Sequence, residues 1–340
     1  MAPLDYWHPV LDGRHLPADR PVGVTVAGRS LALFRAGGRA AAVDDQCAHR
    51  RMKLSVGTVC GDRLVCPYHG WSYDRDGHAE SPSAPRIQAC VPSYDCAESG
   101  GVVWVKSRGT PHDPPLLEKD GWDFAGAVFN RLRAPLQLVI DNFSEIEHTV
   151  TAHPHFGFDA ASAGSAVIDM EAGEDFITVR GHGPAKAPPL DTRLSVGFRR
   201  GDRFHAEYTF RFDPPRSAVT HWWSDPHTGR ERMLKYHVVH YFVPEDDAVT
   251  RIVTFAFLKI HWPVLSRLGP RVGWLLRRRI WQTVQEDAYL VEHLADHSTS
   301  LTGMRLSRFD AILGLTRSRV QRIYEGGGDG TKNEGRRTKN

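Results

Sequence analysis

Cys47, His49, Cys66 and His69 stand in the first fifth of the chain as C-x-H, sixteen intervening residues, then C-x-x-H. Neither pair completes a metal site alone, so any fold that uses them must bring two short loops to one point. Two thiolates and two imidazoles delivered as alternating pairs suit a cluster whose two irons take different ligands, sulfur on one and nitrogen on the other. Zinc accepts the same donor set. Zinc sites of that composition usually present two cysteines and then two histidines, whereas here each loop carries one of each. Pro67 and Gly70 are turn formers that let the loop tips converge.

Residues 40–105 resemble the Rieske domain of the Rieske non-haem iron oxygenases, down to the stretch Leu64-Val-Cys-Pro-Tyr-His-Gly-Trp-Ser-Tyr-Asp74. The resemblance implies a [2Fe–2S] cluster with Cys47 and Cys66 on one iron and His49 and His69 on the other. Cys60, Cys90 and Cys96 match no ligand position, and the expectation for them is the small buried thiol.

With 340 residues, 41% of them hydrophobic, the chain can build two domains with real cores. A net charge of +3 gives no electrostatic case for nucleic acid. No apolar run approaches the roughly 18 residues of a spanning helix. The start, Met1-Ala-Pro-Leu-Asp-Tyr-Trp-His8, lacks a basic region followed by an apolar stretch. Five cysteines, two of them claimed by iron, argue against a disulfide framework. The expectation is a soluble cytoplasmic protein with no membrane or nucleic-acid partner.

The first hundred residues read as short strands separated by Gly, Pro and Asp turns, for example Val22–Val26, Ser30–Phe34 and Ala40–Val43. The proline-rich stretch Ser107–Pro115 looks like a boundary, dividing the chain into residues 1–110, 111–325 and a polar tail, 326–340, expected to be disordered. The second part carries a candidate helix over roughly 141–152. Long strands follow at Ala166–Glu171, Phe176–Arg180, Phe204–Phe212, Leu234–Val243 and Thr250–Leu258. A strongly patterned helix covers roughly 271–296.

A second constellation lies in Asp141-Asn-Phe-Ser-Glu-Ile-Glu-His-Thr-Val-Thr-Ala-His153. On a helix Asp141, Glu145 and His148 share one face, with His153 at the end before Pro154. A pair of histidines is a modest signal until a carboxylate joins it. On the last long helix Ile280, Val284, Val291 and Leu294 form an apolar stripe, and the position that completes it is Asp287. The other face carries Gln282, Glu286, Tyr289 and His293. A carboxylate on a buried face calls for a cation, and the stripe has no Lys or Arg. A metal supplies one; a buried hydroxyl or an arginine from elsewhere is the alternative.

Two histidines and a carboxylate form the facial triad of non-haem Fe(II) oxygenases. Asn142-x-x-Glu145-x-x-His148-x₄-His153 resembles the iron-binding stretch of the Rieske oxygenase catalytic domain, and Glu286-Asp287 the pair that brings the third ligand. The resemblance implies His148, His153 and Asp287 as ligands of a mononuclear Fe(II), with Asn142 and Glu145 beside them. It also implies that residue 145 links the iron site to a Rieske histidine of a neighbouring subunit. The family usually has Asp there, so Glu145 changes the geometry of that bridge by one methylene. Glu147 is read as solvated.

The fold class expected is α+β: an all-β Rieske domain, then a helix-grip (START-like) domain whose antiparallel sheet curves around the long C-terminal helix. Trp222, Trp223, Tyr236, His240, Phe255 and Phe257 are candidates to line a cavity between sheet and helix. Alternation in the strand Lys235–Phe242 puts Tyr236, Val238, His240 and Phe242 on one face without saying which face meets substrate. Arg277–Arg279 reads as a solvated helix start or a docking patch for an acidic electron donor.

No Gly-x-Gly-x-x-Gly follows a strand, and no C-x₄-C-x₂-C run is present. A separate NAD(P)H-dependent reductase, with or without a ferredoxin, is therefore expected. The resemblance implies a homotrimer that uses O2 to hydroxylate, or to O- or N-demethylate, an apolar or aromatic small molecule. Other readings are a ring cis-dihydroxylating dioxygenase, a Rieske electron carrier and a non-catalytic ligand-binding protein.

Overall fold

The computed structural model describes residues 3–115, 117, 119–260 and 269–324; the 326–340 tail lies outside them. The chain is α+β. Its first part is built of short strands: β1 (His8–Asp12), β2 (Val22–Val26), β3 (Arg29–Ala36), β4 (Arg39–Asp44), β5 (Thr58–Cys60), β6 (Arg63–Val65), β7 (Ser72–Tyr73), β8 (His78–Glu80), β9 (Ala89–Cys90), β10 (Ser93–Ser99) and β11 (Val102–Ser107). Among the described residues β1, β11, β10, β4, β3 and β2 pair in that order into one antiparallel sheet. Strands β5 to β9 pair in sequence into a second. The β3–β4 hairpin turns on Gly37 and Gly38, both at positive φ, where only a residue without Cβ is unstrained.

The second part holds one seven-stranded antiparallel sheet among the described residues. Its strands are β12 (Asp123–Leu132), β13 (Val167–Ala172), β14 (Phe176–Pro184), β15 (Arg203–Phe212), β16 (Pro215–Ser224), β17 (Leu234–Asp246) and β18 (Val249–Ile260), in the order β12-β18-β17-β16-β15-β14-β13. Helices α1 (Leu136–Ser144), α2 (Leu190–Val196), α3 (Gly269–Glu292) and α4 (Leu313–Tyr324) complete it. α3 packs along β12 and β18. Ile280, Val284, Ala288 and Val291 are its buried stripe.

The two faces of β17 and β18 have different duties, set by the period-2 alternation of a strand. Tyr241, Phe255 and Phe257 pack with Trp7 and Trp104 of the first part. Trp104 stacks on Phe255 at 5.3 Å between ring centroids and meets Tyr241 edge-on at 4.9 Å. Tyr236, Val238 and His240 face the other way, toward α3 and an internal cavity. Of the six cavity candidates, Trp223, Tyr236 and His240 line it. Phe255 and Phe257 instead cement the two parts, and Trp222 stacks outside on His205 at 4.9 Å.

Other expectations are corrected by the structure. The helix placed over 141–152 is shorter and earlier: α1 starts after Pro135 and ends at Ser144, Glu145 is extended, and a 3-10 turn covers Glu147–Val150. Asp141 therefore shares no face with His148. It accepts from Gln137 at 2.8 Å and pairs with Arg317 of α4. α3 ends at Glu292, so Leu294 lies beyond its stripe and is exposed. Cys60 and Cys90 are exposed rather than buried, and Cys96 is half-buried. Glu147 is exposed, but it accepts a hydrogen bond from Ser307 Oγ at 2.6 Å. In the arginine run Arg278 is exposed and its two neighbours are half-buried. Arg277 donates to Ala125 O and Arg279 pairs with Asp191.

Candidate metal centres

The two loops with Cys47 and Cys66 share one backbone pattern. In the first, Cys47 N donates to Met52 O at 2.8 Å and Arg51 N to Cys47 O at 2.9 Å; in the second, Cys66 N donates to Trp71 O at 2.8 Å and Gly70 N to Cys66 O at 3.1 Å. The same register holds both times, and each loop takes positive φ at its fifth residue, Arg51 and Gly70. The effect is to bury both cysteines and leave both histidines exposed at the tip. His49 and His69 approach to 4.5 Å between centroids, with His49 stacked on Trp71 at 5.1 Å. Tyr73 OH lies 3.0 Å from Cys47 Sγ and accepts from Ala48 N at 2.9 Å. Burial pushes the Cys66 thiol up, a cost that coordination to a cation removes. The donor set fits a cluster with a buried sulfur-bound iron and a nitrogen-bound iron at the surface.

The second centre is assembled from distant segments. Leu136, Val139, Ile140 and Phe143 seat α1 on the core. Where α1 ends, the Glu145 carboxylate turns back onto His148, with Oε2 3.1 Å from its backbone N and Oε1 2.6 Å from Nδ1. A side chain that captures an amide in this way competes with helix continuation. Lys186 Nζ donates to Thr149 O and Val150 O and pins the turn. Gly157 closes it from behind, because a Cβ there would stand 2.5 Å from Thr149 O.

His148 Nε2 and His153 Nε2 lie 3.2 Å apart, and Asp287 Oδ1 lies 3.4 Å from the first and 3.2 Å from the second. Each outward nitrogen is held by a carboxylate: His148 Nδ1 by Glu145, and His153 Nδ1 by Glu286 Oε2 at 2.8 Å. Asn142 Nδ2 donates to Asp287 Oδ1 at 3.0 Å. Burial pushes His148 down, but Asp287 and Glu145 outweigh it and hold the imidazole at about 10. Burial pushes His153 down too, and Asp287 and Glu286 outweigh it, so it is also raised. Asp287 is pushed up by burial and pulled down further by the two histidines, to about 2. Three converging donors, each imidazole oriented by a carboxylate, are what a two-histidine, one-carboxylate iron site needs.

In the sequence Glu286 stands on the face of the helix away from the apolar stripe. Its signal in the sequence was adjacency to Asp287, and nothing local showed that His153 would lie within reach. On the far side of the three donors lies a cavity of about 450 Å³. Phe143, Val219, Val238, Leu258, Leu276 and Val284 give it an apolar wall, and α2 contributes Asp191, Thr192 and Val196 at one end. Phe156 stacks on His153 at 4.8 Å.

A two-part chain with a cysteine–histidine cluster site and a two-histidine, one-carboxylate centre on an apolar cavity defines a class of iron-dependent oxygenases. Residues 6–95 match the Rieske [2Fe-2S] domain family, and residues 132–325 match the vanillate O-demethylase oxygenase C-terminal domain family. The chain belongs to the Rieske non-haem iron oxygenases, whose catalytic subunits carry a [2Fe–2S] cluster and a mononuclear iron.

Methylxanthine N1-demethylase NdmA of Pseudomonas putida is 31% identical over 191 residues, 49% of this chain and 52% of that one. The vanillate O-demethylase oxygenase subunit of Pseudomonas sp. (strain ATCC 19151) is 31% identical over 181 residues, 48% of this chain and 53% of that one. The chain thus spans about half the length of these curated relatives. The crystal structure of dicamba monooxygenase bound to 3,6-dichlorosalicylic acid superimposes with a TM-score of 0.79 at 17% identity, covering 95% of this chain and 98% of that one. That likeness establishes the shared fold.

Proposed function

We propose that this chain is the oxygenase component of a multicomponent system that hydroxylates, or O- or N-demethylates, an apolar or aromatic small molecule, using O2 and electrons from a separate NAD(P)H-dependent reductase, with or without a ferredoxin. The observation that carries the reading is the convergence of His148 Nε2, His153 Nε2 and Asp287 Oδ1 on one end of an apolar cavity. Relatives that demethylate methylxanthine and vanillate point the same way.

On this reading Cys47, His49, Cys66 and His69 hold the cluster, and His148, His153 and Asp287 hold the iron. Bound there, Fe(II) supplies O2 activation, with electrons passed on from the cluster. Glu145 and Glu286 keep the proton of each imidazole on Nδ1, so that each Nε2 lone pair points at the metal position. Asn142 fixes the rotamer of Asp287. The apolar wall excludes water from the reacting end.

The two parts act as a Rieske domain, residues 1–110, and a catalytic domain, residues 111–325. The exposed His49–His69 tip suits donation across a subunit boundary, and we place the working unit as a homotrimer in which Glu145 links His148 to His69 of the partner subunit. None of the five cysteines is in a disulfide, which suits the reducing cytoplasm. Among the described residues no helix is long and apolar enough to cross a membrane.

The test is O2 uptake against a panel of methoxylated, N-methylated and unsubstituted aromatics with a surrogate reductase, followed by product mass. Gain of one oxygen atom, or loss of a methyl group as formaldehyde, supports the proposal. A cis-diol product moves the chain to the dihydroxylating reading. Two irons per chain instead of about three reduce it to a carrier.

A further inference from the structure

Tyr208 on β15, His221 on β16 and Tyr236 on β17 line the cavity side by side. His221 Nδ1 is 2.7 Å from Tyr236 OH, and Nε2 is 3.1 Å from Tyr208 OH. Burial holds His221 well below the ordinary imidazole range, so the ring is neutral, with one N–H and one bare nitrogen. Burial also raises both phenols, which stay protonated.

The hydrogen count is then fixed. Three groups carry three hydrogens, and the two links consume two of them. If Nε2 carries the proton, it donates to Tyr208, Tyr236 donates to Nδ1, and the Tyr208 hydrogen has no acceptor in the relay. In the other tautomer the Tyr236 hydrogen is left over. Neither hydroxyl has a further hydrogen-bond partner among the described residues. A buried donor left unsatisfied is costly, so the free O–H favours an acceptor brought into the cavity.

The surroundings restrict that acceptor. Phe156 lies 4.8 Å from His153 and 4.8 Å from His221, centroid to centroid, so the relay is one ring away from the candidate iron ligands. Arg279 is the one Arg or Lys among the described lining residues, and it is already engaged by Asp191 and by His155 Nε2 at 3.1 Å. A charged carboxylate brought to the relay would lose its water without gaining a cation.

We propose that Tyr208–His221–Tyr236 is the specificity-determining element of the cavity, donating one O–H hydrogen bond to a neutral acceptor, a carbonyl oxygen or ring nitrogen, on a flat aromatic substrate. The proposal rests on the oxygenase reading for its claim that substrate occupies this cavity.

The holoprotein, with iron and cluster quantified, is titrated with 9-fluorenone and with fluorene, which share a ring frame and differ in the carbonyl. Bound fluorenone is expected to show its carbonyl stretch at lower wavenumber than in hexane. The double variant Tyr208→Phe/Tyr236→Phe is expected to lower the preference for fluorenone over fluorene by about fivefold, the worth of one neutral hydrogen bond. It should also return the band toward its hexane position. The wild-type band needs no variant, so a poorly folding double variant leaves the test intact. If both probes bind and the band sits at its hexane value, the acceptor rule falls while the oxygenase reading stands. If neither binds to fully loaded protein, the acceptor rule falls, while the oxygenase reading is decided by O2 uptake against the substrate panel.

Discussion

Glu286 Oε2 lies 2.8 Å from Nδ1 of His153, while the next residue on the same helix, Asp287, lies 3.2 Å from the Nε2 of that ring. One step along α3 therefore supplies the carboxylate at the metal position and the carboxylate that orients the facing imidazole. Two neighbours on a helix diverge by about 100°, so His153 must lie in the angle between them. The Lys186-pinned turn just before it holds it there.

Glu286→Ala is expected to weaken Fe(II) binding by about 10- to 100-fold and leave the cluster's visible absorption unchanged. Glu286→Gln, which keeps an acceptor for Nδ1–H, should recover part of the loss. Asp287→Ala should abolish turnover and empty the mononuclear site. Equal iron affinity in wild type and Glu286→Ala, measured by chelator competition, would remove Glu286 from the metal site.

Cys47→Ser or His69→Ala should remove both the cluster's visible absorption and its electron paramagnetic resonance signal on reduction. Mononuclear iron should remain, because the two centres share no ligand. A variant that keeps both signals sinks the ligand assignment.

Glu145→Gln should keep both metals yet slow cluster-to-iron transfer severely in single-turnover measurements. Mixing a His69→Ala chain with an Asp287→Ala chain should restore part of the activity through hybrid rings. An active monomer in analytical ultracentrifugation, or no recovery despite proven subunit exchange, defeats the inter-subunit route.

Acid should destabilise the protein through buried histidines. His8 is fully buried, with Nδ1 2.8 Å from Tyr6 O and Nε2 3.1 Å from Tyr324 OH; burial pushes it down to about 4. Burial also lowers His205 to about 4 and His237 to about 3. A folded imidazole below its unfolded value of 6.5 binds fewer protons than the unfolded chain in between. Its stabilisation is thus complete above pH 6.5 and is lost as pH falls toward 4. His8 alone contributes a slope of about 1.4 kcal/mol per pH unit in that window. Urea titrations between pH 7 and 4.5 should show this fall, and His8→Asn should have a slope shallower by about that amount.

Much of the chemistry was legible in the sequence by itself. Cys47, His49, Cys66 and His69 sit in loops whose spacing and turn residues are local properties. Asp287 stood out because a carboxylate broke an apolar stripe of period 3.6, a pattern that survives without knowing what the helix packs on. The all-β start and the long strands followed from alternation and turn residues for the same reason.

Tertiary structure decided what no local pattern encodes. The turn after α1 is held from a distance, by Lys186 donating to Thr149 O and Val150 O, in addition to the local contact of Glu145 with the amide of His148. The bond between Glu286 and His153 joins residues 133 positions apart. Whether Tyr236 or His237 faced the cavity was undetermined, since alternation defines two faces but not which one the core takes. Phe255 and Phe257 were candidates for the cavity yet pack in the cluster that holds Trp7 and Trp104, because burial against another part of the chain and burial around a ligand select the same residue types.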